Sequence, residues 1–246
     1  MSKSLDELPR ALDSAQDASL RGYVRAAAAV FVKDARAEMR GRHALTAVVL
    51  FAITSTIAVS FVLSDWGSSP AVASALLWLI IYFSAMTGLS RSFVREEEIG
   101  TASLLRLAAR PNSVYLGKLM SNVALLLVHH ERKLRRGEPL FVVLMSVRVA
   151  EPELLCAALA IGSLALSAGA TMTAAMVSRA SAKGTLFAAI SLPLLIPVLV
   201  ASIQVTDTAF SGERIAQAAA HLRLLIYYCG AVIPASLMLF RHIWED

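Results

Sequence analysis

The chain has 246 residues, 57% hydrophobic and 17% charged, with a mean hydropathy of +0.64. A soluble domain carries roughly 25% charged residues, so this composition excludes an ordinary soluble domain and predicts an integral membrane protein. The net charge of +5 does not argue for a nucleic-acid partner, because Lys and Arg collect between hydrophobic runs, where orientation in a bilayer accounts for them.

Residues 1–23 hold three basic and four acidic side chains and no apolar core. A signal peptide needs a hydrophobic stretch after a basic start, so a flexible cytoplasmic tail is expected. From Val24 to Arg40 apolar residues recur with helical spacing. Val24, Ala28, Phe31, Ala35 and Met39 share one face, with Arg25, Lys33, Arg36 and Arg40 on another. Residues 24–41 therefore read as an amphipathic helix lying in the membrane interface, or packed on a soluble partner.

A spanning helix needs about 20 mostly apolar residues. Residues 44–63 and 71–90 meet that need, joined by a turn with Trp66 at interfacial depth. A third run starts at Leu119 and fails at Val128. It is followed by His129–Glu138, HHERKLRRGE, and resumes at Pro139–Val149. Neither half is long enough alone, so the charged decapeptide reads as an interruption of a span at 119–149. Burying its four cations would cost several kcal/mol, so it must reach water by a funnel, a displaced loop or a broken helix. The paired histidines lack carboxylate or sulfur ligands at a metal-site spacing.

Residues 153–177, 184–205 and 224–240 give three further spans. In the first of these, Gly162, Ala165, Gly169 and Thr173 lie close to one face, where small residues let helices approach. The second carries Pro193 and Pro197 one turn apart, a bend and a possible gating hinge. Between the second and third, residues 206–223 read as the largest loop on their side, with a short helix after Ser211. Cys156 and Cys229 are far apart in apolar runs and read as buried packing residues without a redox or metal role.

The expected fold is thus all-α, with six transmembrane helices after an interfacial helix, in a transmembrane domain at 44–240. With the N-terminus inside, the inner segments hold thirteen Lys or Arg and the outer ones three. Positive-inside therefore places both termini in the cytoplasm. No GxxxxGK[ST], GxSxG or HExxH pattern occurs. Catalytic residues and metal ligands are accordingly not assigned, no cofactor is expected to bind directly, and any ATP would sit on a partner chain.

The stretch 91–118 has its own grammar. Arg95, Glu96, Glu97 and Glu98 follow the exit of the second span, and Gly100 can turn the chain sharply. Thr101 can cap a short helix over Ala102–Ala109, with Leu104, Leu105 and Ala108 as its apolar face and Pro111 closing it. A capped helix with an acidic lead-in suits docking on a partner; a solvated loop lying on its own bundle is the alternative.

This segment resembles the first cytoplasmic loop of ABC-2-type exporter permeases. An ordered set of pieces is closer to the CcmB family: Phe93–Thr101 (FVREEEIGT), Leu104–Pro111 (LLRLAARP), Tyr115–Leu119 (YLGKL) and Phe31–Arg40 (FVKDARAEMR). Pro139–Leu144 and Ser191–Leu199 are similar to it too. The resemblance implies the membrane subunit of an ABC transporter in cytochrome c maturation, in the bacterial inner membrane and not itself an enzyme. It implies a CcmA-type ATPase, CcmC, CcmD and the haem chaperone CcmE as partners, with haem as a possible substrate and a second copy of itself as a possible neighbour. Arg95, Glu96, Glu97, Glu98, Gly100, Thr101, Leu104 and Leu105 would couple to the ATPase. A lipid or drug exporter sharing only the loop, and a scaffold that releases the chaperone without transport, are the other readings. The decapeptide at 129–138 departs from the family, whose third helix is apolar there.

Overall fold

The computed structural model describes residues 22–37, 43–63, 69–89, 100, 105, 107, 109–134, 147–177, 183–213 and 215–245. Their regular structure is helical. The helices are α1 (22–37), α2 (His43–Leu63), α3 (Pro70–Leu89), α4 (Pro111–Leu134), α5 (Pro152–Val177), α6 (Lys183–Ser211) and α7 (Ile215–Glu245).

Prolines and caps decide where the apolar runs become helices. Pro70, Pro111 and Pro152 each occupy a first helical position, where the missing N–H costs nothing and the fixed φ is already helical. Ahead of Pro70, the Ser69 hydroxyl accepts from the Val72 N–H at 3.3 Å and its carbonyl accepts from Ala73 at 3.0 Å. Gly212 ends α6 at φ +73°, its N–H donating to the Thr208 carbonyl at 2.9 Å. That left-handed cap turns the chain into α7 within three residues.

α5 is the centre of the bundle. It packs on α4, α6 and α7 and also touches α3, and 67% of its apolar window is buried against 17% for that of α7. Its small residues explain the position. A Cβ at Gly162 would collide with the Trp78 ring and sit 2.8 Å from the Ser202 hydroxyl; one at Gly169 would sit 2.6 Å from Leu195 and 2.7 Å from the Tyr228 hydroxyl. α3 and α6 close on α5 at Gly162, α6 and α7 at Gly169, and polar groups pair between helices as a lipid-solvated fold requires. Trp78 Nε1 donates to Thr206 Oγ1 at 2.8 Å, Asn122 to Thr171 Oγ1 at 2.8 Å, and Tyr228 to the Leu194 carbonyl at 3.2 Å.

Among the described residues, four helices are long and apolar enough to cross a membrane, over Pro70–Thr87, Pro152–Val177, Ala189–Ser211 and Ile215–His242. The chain is a multi-pass membrane protein, but the six apolar spans read from the sequence reduce to these four. In α2 the apolar stretch that qualifies is shorter, Val49–Phe61. α4 fails on composition, because Asn112, Ser113, Lys118, Ser121 and Asn122 lie within it.

Other expectations shift as well. α4 begins at Pro111 rather than Leu119 and runs unbroken through His129–Leu134, so the first six residues of the decapeptide continue the helix, and 135–138 fall outside the described residues. Helical backbone bonds form irrespective of side-chain polarity, and Arg, Lys, Glu and Leu are good helix formers. The loop expected at 206–223 is helical over 206–211 and 215–223, with 212 and 213 outside the helices. Its hydroxyls return to their own helix, Thr208 Oγ1 donating to Gln204 at 3.1 Å and Ser211 Oγ to Asp207 at 2.8 Å. Cys229 is buried as expected, but Cys156 is exposed.

Candidate coupling site

The residues proposed to grip a partner lie ahead of α4. Gly100 has φ +74°, a left-handed conformation that L side chains rarely adopt, so the sharp turn read at this glycine is present. Arg95, Glu96, Glu97, Glu98, Thr101 and Leu104 fall outside the described residues, and the tails at 1–21 and the turn at 64–68 do so too.

Beyond Gly100 the chain makes one helical turn, with the Ala109 N–H donating to the Leu105 carbonyl at 3.1 Å. Leu105 is half-buried and, with Ala109, packs against the hydrophobic core of the bundle. Leu107 is 88% exposed. Two residues along a helix is a rotation of about 200°, so the turn is held by Leu105 and presents Leu107. Of the apolar face read at Leu104, Leu105 and Ala108, Leu105 packs on the protein's own core; Leu104 and Ala108 fall outside the described residues. The turn then runs into α4, where the Arg110 carbonyl accepts from Ser113 at 3.0 Å and Val114 at 3.2 Å.

The first two turns of α4 carry α1. The Ser113 hydroxyl reaches the Tyr23 carbonyl at 3.5 Å. A Cβ on Gly117 would lie 2.6 Å from Val30 Cβ and 2.7 Å from the Ala27 carbonyl oxygen, so only glycine allows this approach. One turn of α1 further, Lys118 Nζ donates to Asp34 Oδ2 at 3.2 Å, and Lys33 sits on the other oxygen at 3.1 Å. Lys118 is 1% exposed and Asp34 18%. The contacts step along both helices in the same sense, Tyr23 to Ser113, Val30 to Gly117, Asp34 to Lys118. The apolar residues grouped on one face of α1 in the sequence are therefore not the ones that pack: Val24 is 64% exposed, whereas Ala27 and Val30 are buried.

Behind this clamp α4 is tied to the bundle. Tyr115 is fully buried, donates to the Ala168 carbonyl at 3.4 Å, and stands 5.5 Å from the Phe240 ring, which stacks on Trp244 at 5.2 Å. Pro193 and Pro197 lie inside α6, exposed, and the helix continues through both. The Tyr228 hydroxyl reaches α6 at Leu194, the residue after Pro193.

Asp34, Gly117 and Lys118 were not singled out as a unit by sequence reasoning. A signal existed: Lys118 stands in the otherwise apolar run Tyr115–Leu119, and a cation there needs an anion. Asp34 lies off the basic face, at helical spacing from Ala27 and Val30. What the sequence does not show is that two segments 84 residues apart supply the two halves.

No curated protein matches the chain. The sequence matches the family described as CcmB protein over residues 25–239, from α1 through the coupling turn and the apolar bundle into α7. The chain therefore belongs to the CcmB family, membrane permease subunits associated with cytochrome c maturation and haem export.

Proposed function

We propose that this chain is the transmitting subunit of an ABC transporter in the bacterial inner membrane. It converts ATP hydrolysis on a CcmA-type subunit into haem handling, or into release of the haem-loaded chaperone CcmE, alongside CcmC and CcmD. The observation that carries the reading is the Leu105–Ala109 turn, preceded in sequence by a left-handed Gly100, anchored by Leu105 and followed by Arg110, whose carbonyl caps the start of α4. A partner pressing on Leu107 would move α4 directly. α2 and α4 complete a six-helix bundle with the four apolar spans, the polar residues of α4 being shielded by α1 and α5. From Pro111 to Val128 α4 rises about 27 Å at 1.5 Å per residue, close to the thickness of a hydrocarbon core. The Lys and Arg bias puts both termini and the coupling turn in the cytoplasm. α1 lies in the interface, with Arg25 and Arg36 exposed toward water and anionic headgroups.

Glu96, Glu97 and Glu98 supply the acidic lead-in for the ATPase. Replacing Glu97→Lys and Glu98→Lys together is expected to abolish co-purification of the ATPase while leaving insertion in the membrane intact. An ATPase that still co-purifies in full would overturn the docking role.

A further inference from the structure

We propose that the Asp34–Lys118 pair is a latch that makes α1 a second arm of the coupling turn. A displacement of Leu105–Ala109 is then delivered to α2 through α1, as well as along α4. The inference rests on the reading of that turn as the ATPase contact.

Three features carry it. The Ala109 N–H bonds to the Leu105 carbonyl and the Arg110 carbonyl accepts twice from the first turn of α4, so only the Ala109–Arg110 step separates the turn from the helix that carries Lys118. Lys118 is 1% exposed with its ammonium on Asp34. Sliding α1 off α4 would draw the carboxylate away from a buried ammonium, and the penalty for that opposes any gap. Finally, Gly117 brings the backbones of α1 and α4 closer than any side chain allows, so the latch closes on a contact already without slack. In sequence, the end of α1 that holds Asp34 is the end nearer His43, where α2 starts. α2 in turn packs on α3, one of the four apolar spans. The latch thus gives the bundle a second input, through α2 and α3.

The test uses the complete transporter in membranes, reading ATP hydrolysis and the yield of mature cytochrome c. In Asp34→Asn and in Lys118→Met the ATPase is expected to remain bound and active. The yield should fall at least about fivefold, the scale of a coupling mutation. Exchanging the charges, Asp34→Lys with Lys118→Asp, should recover most of it, which a merely structural loss would not. Asp34→Glu, which keeps the charge one methylene further out, should retain more of the yield than Asp34→Asn, as a charge role requires and a packing role does not. Full yield in Asp34→Asn, or a charge exchange that yields no more than either single variant, would each overturn the latch. Should Asp34→Asn not accumulate, Lys118→Met and the charge exchange decide. If the ATPase does not co-purify with the unaltered protein, the coupling reading falls first and takes the latch with it.

Discussion

Lys118 is 1% exposed, although an ammonium taken out of water loses several kcal/mol of hydration. It is retained by Asp34, and removing one partner of a buried pair costs about 3–5 kcal/mol because the other charge stays behind. The same scale of consequence attaches to glycines that touch other helices. Gly162→Leu drives a side chain into the Trp78 ring, and overpacking of this kind costs about 1–3 kcal/mol. Its thermal unfolding midpoint in detergent should therefore fall clearly, whereas Gly230→Leu, with nothing within 4 Å of its Cβ, should be close to neutral. Equal losses at the two positions would contradict the packing described for α5. The role of Gly162 and Gly169 was legible in the sequence because small residues at helical spacing in an apolar run have one common use. Gly117 was not legible, because its neighbours Ala27 and Val30 lie almost 90 residues away and no local pattern names them.

Among elements, the hairpin of α6 and α7 shows where local reading fails. Thr206, Asp207, Thr208 and Ser211 look like loop residues, yet the hydroxyls of Thr208 and Ser211 bond back within α6, and Thr206 accepts from Trp78. Polarity in a sequence does not distinguish a side chain facing water from one facing its own helix. The reversal falls to Gly212 alone. Gly212→Ala must hold a Cβ at φ +73°, at a cost of about 1–2 kcal/mol, and 3.0 Å from Ala150 Cβ. Proteolysis at 212–214 should accelerate in this variant, and Gly212→Asn, a residue that tolerates the left-handed region, should lose less. Indistinguishable cleavage of Gly212→Ala and the native chain would contradict the cap. α4 fails legibility in a different way. Its apolar run begins at Leu119, but its helix begins eight residues earlier at the Pro111 cap, and the first part of the charged run, 129–134, continues that helix.

For the molecule as a whole, burial falls from α5, at the centre, to α7, at the rim. The two cysteines run against that trend. Cys156 is exposed in the second turn of α5, about 6 Å from its start, and Cys229 is buried midway along α7. A membrane-permeant maleimide should label Cys156 several times faster than Cys229 in the folded protein, and the difference should vanish on unfolding. Faster labelling of Cys229 would mean that α7 faces another way. All-α class, membrane location and family were legible from composition and motif order, because each is set by local runs. The set of apolar helices and the packing face of α1 were not, since they depend on which segments meet. Lys118 also constrains the order in which the protein can be made. In the six-helix arrangement proposed for the bundle, a lysine at mid-helix raises the cost of partitioning α4 from the translocon into lipid by about 3 kcal/mol. Asp34 lies 84 residues nearer the N-terminus and leaves the ribosome roughly 10 s earlier at ordinary elongation rates. The helix bearing the anion is therefore at the membrane surface before the cation arrives, and biosynthesis from the N-terminus supplies the partner on which insertion of α4 depends.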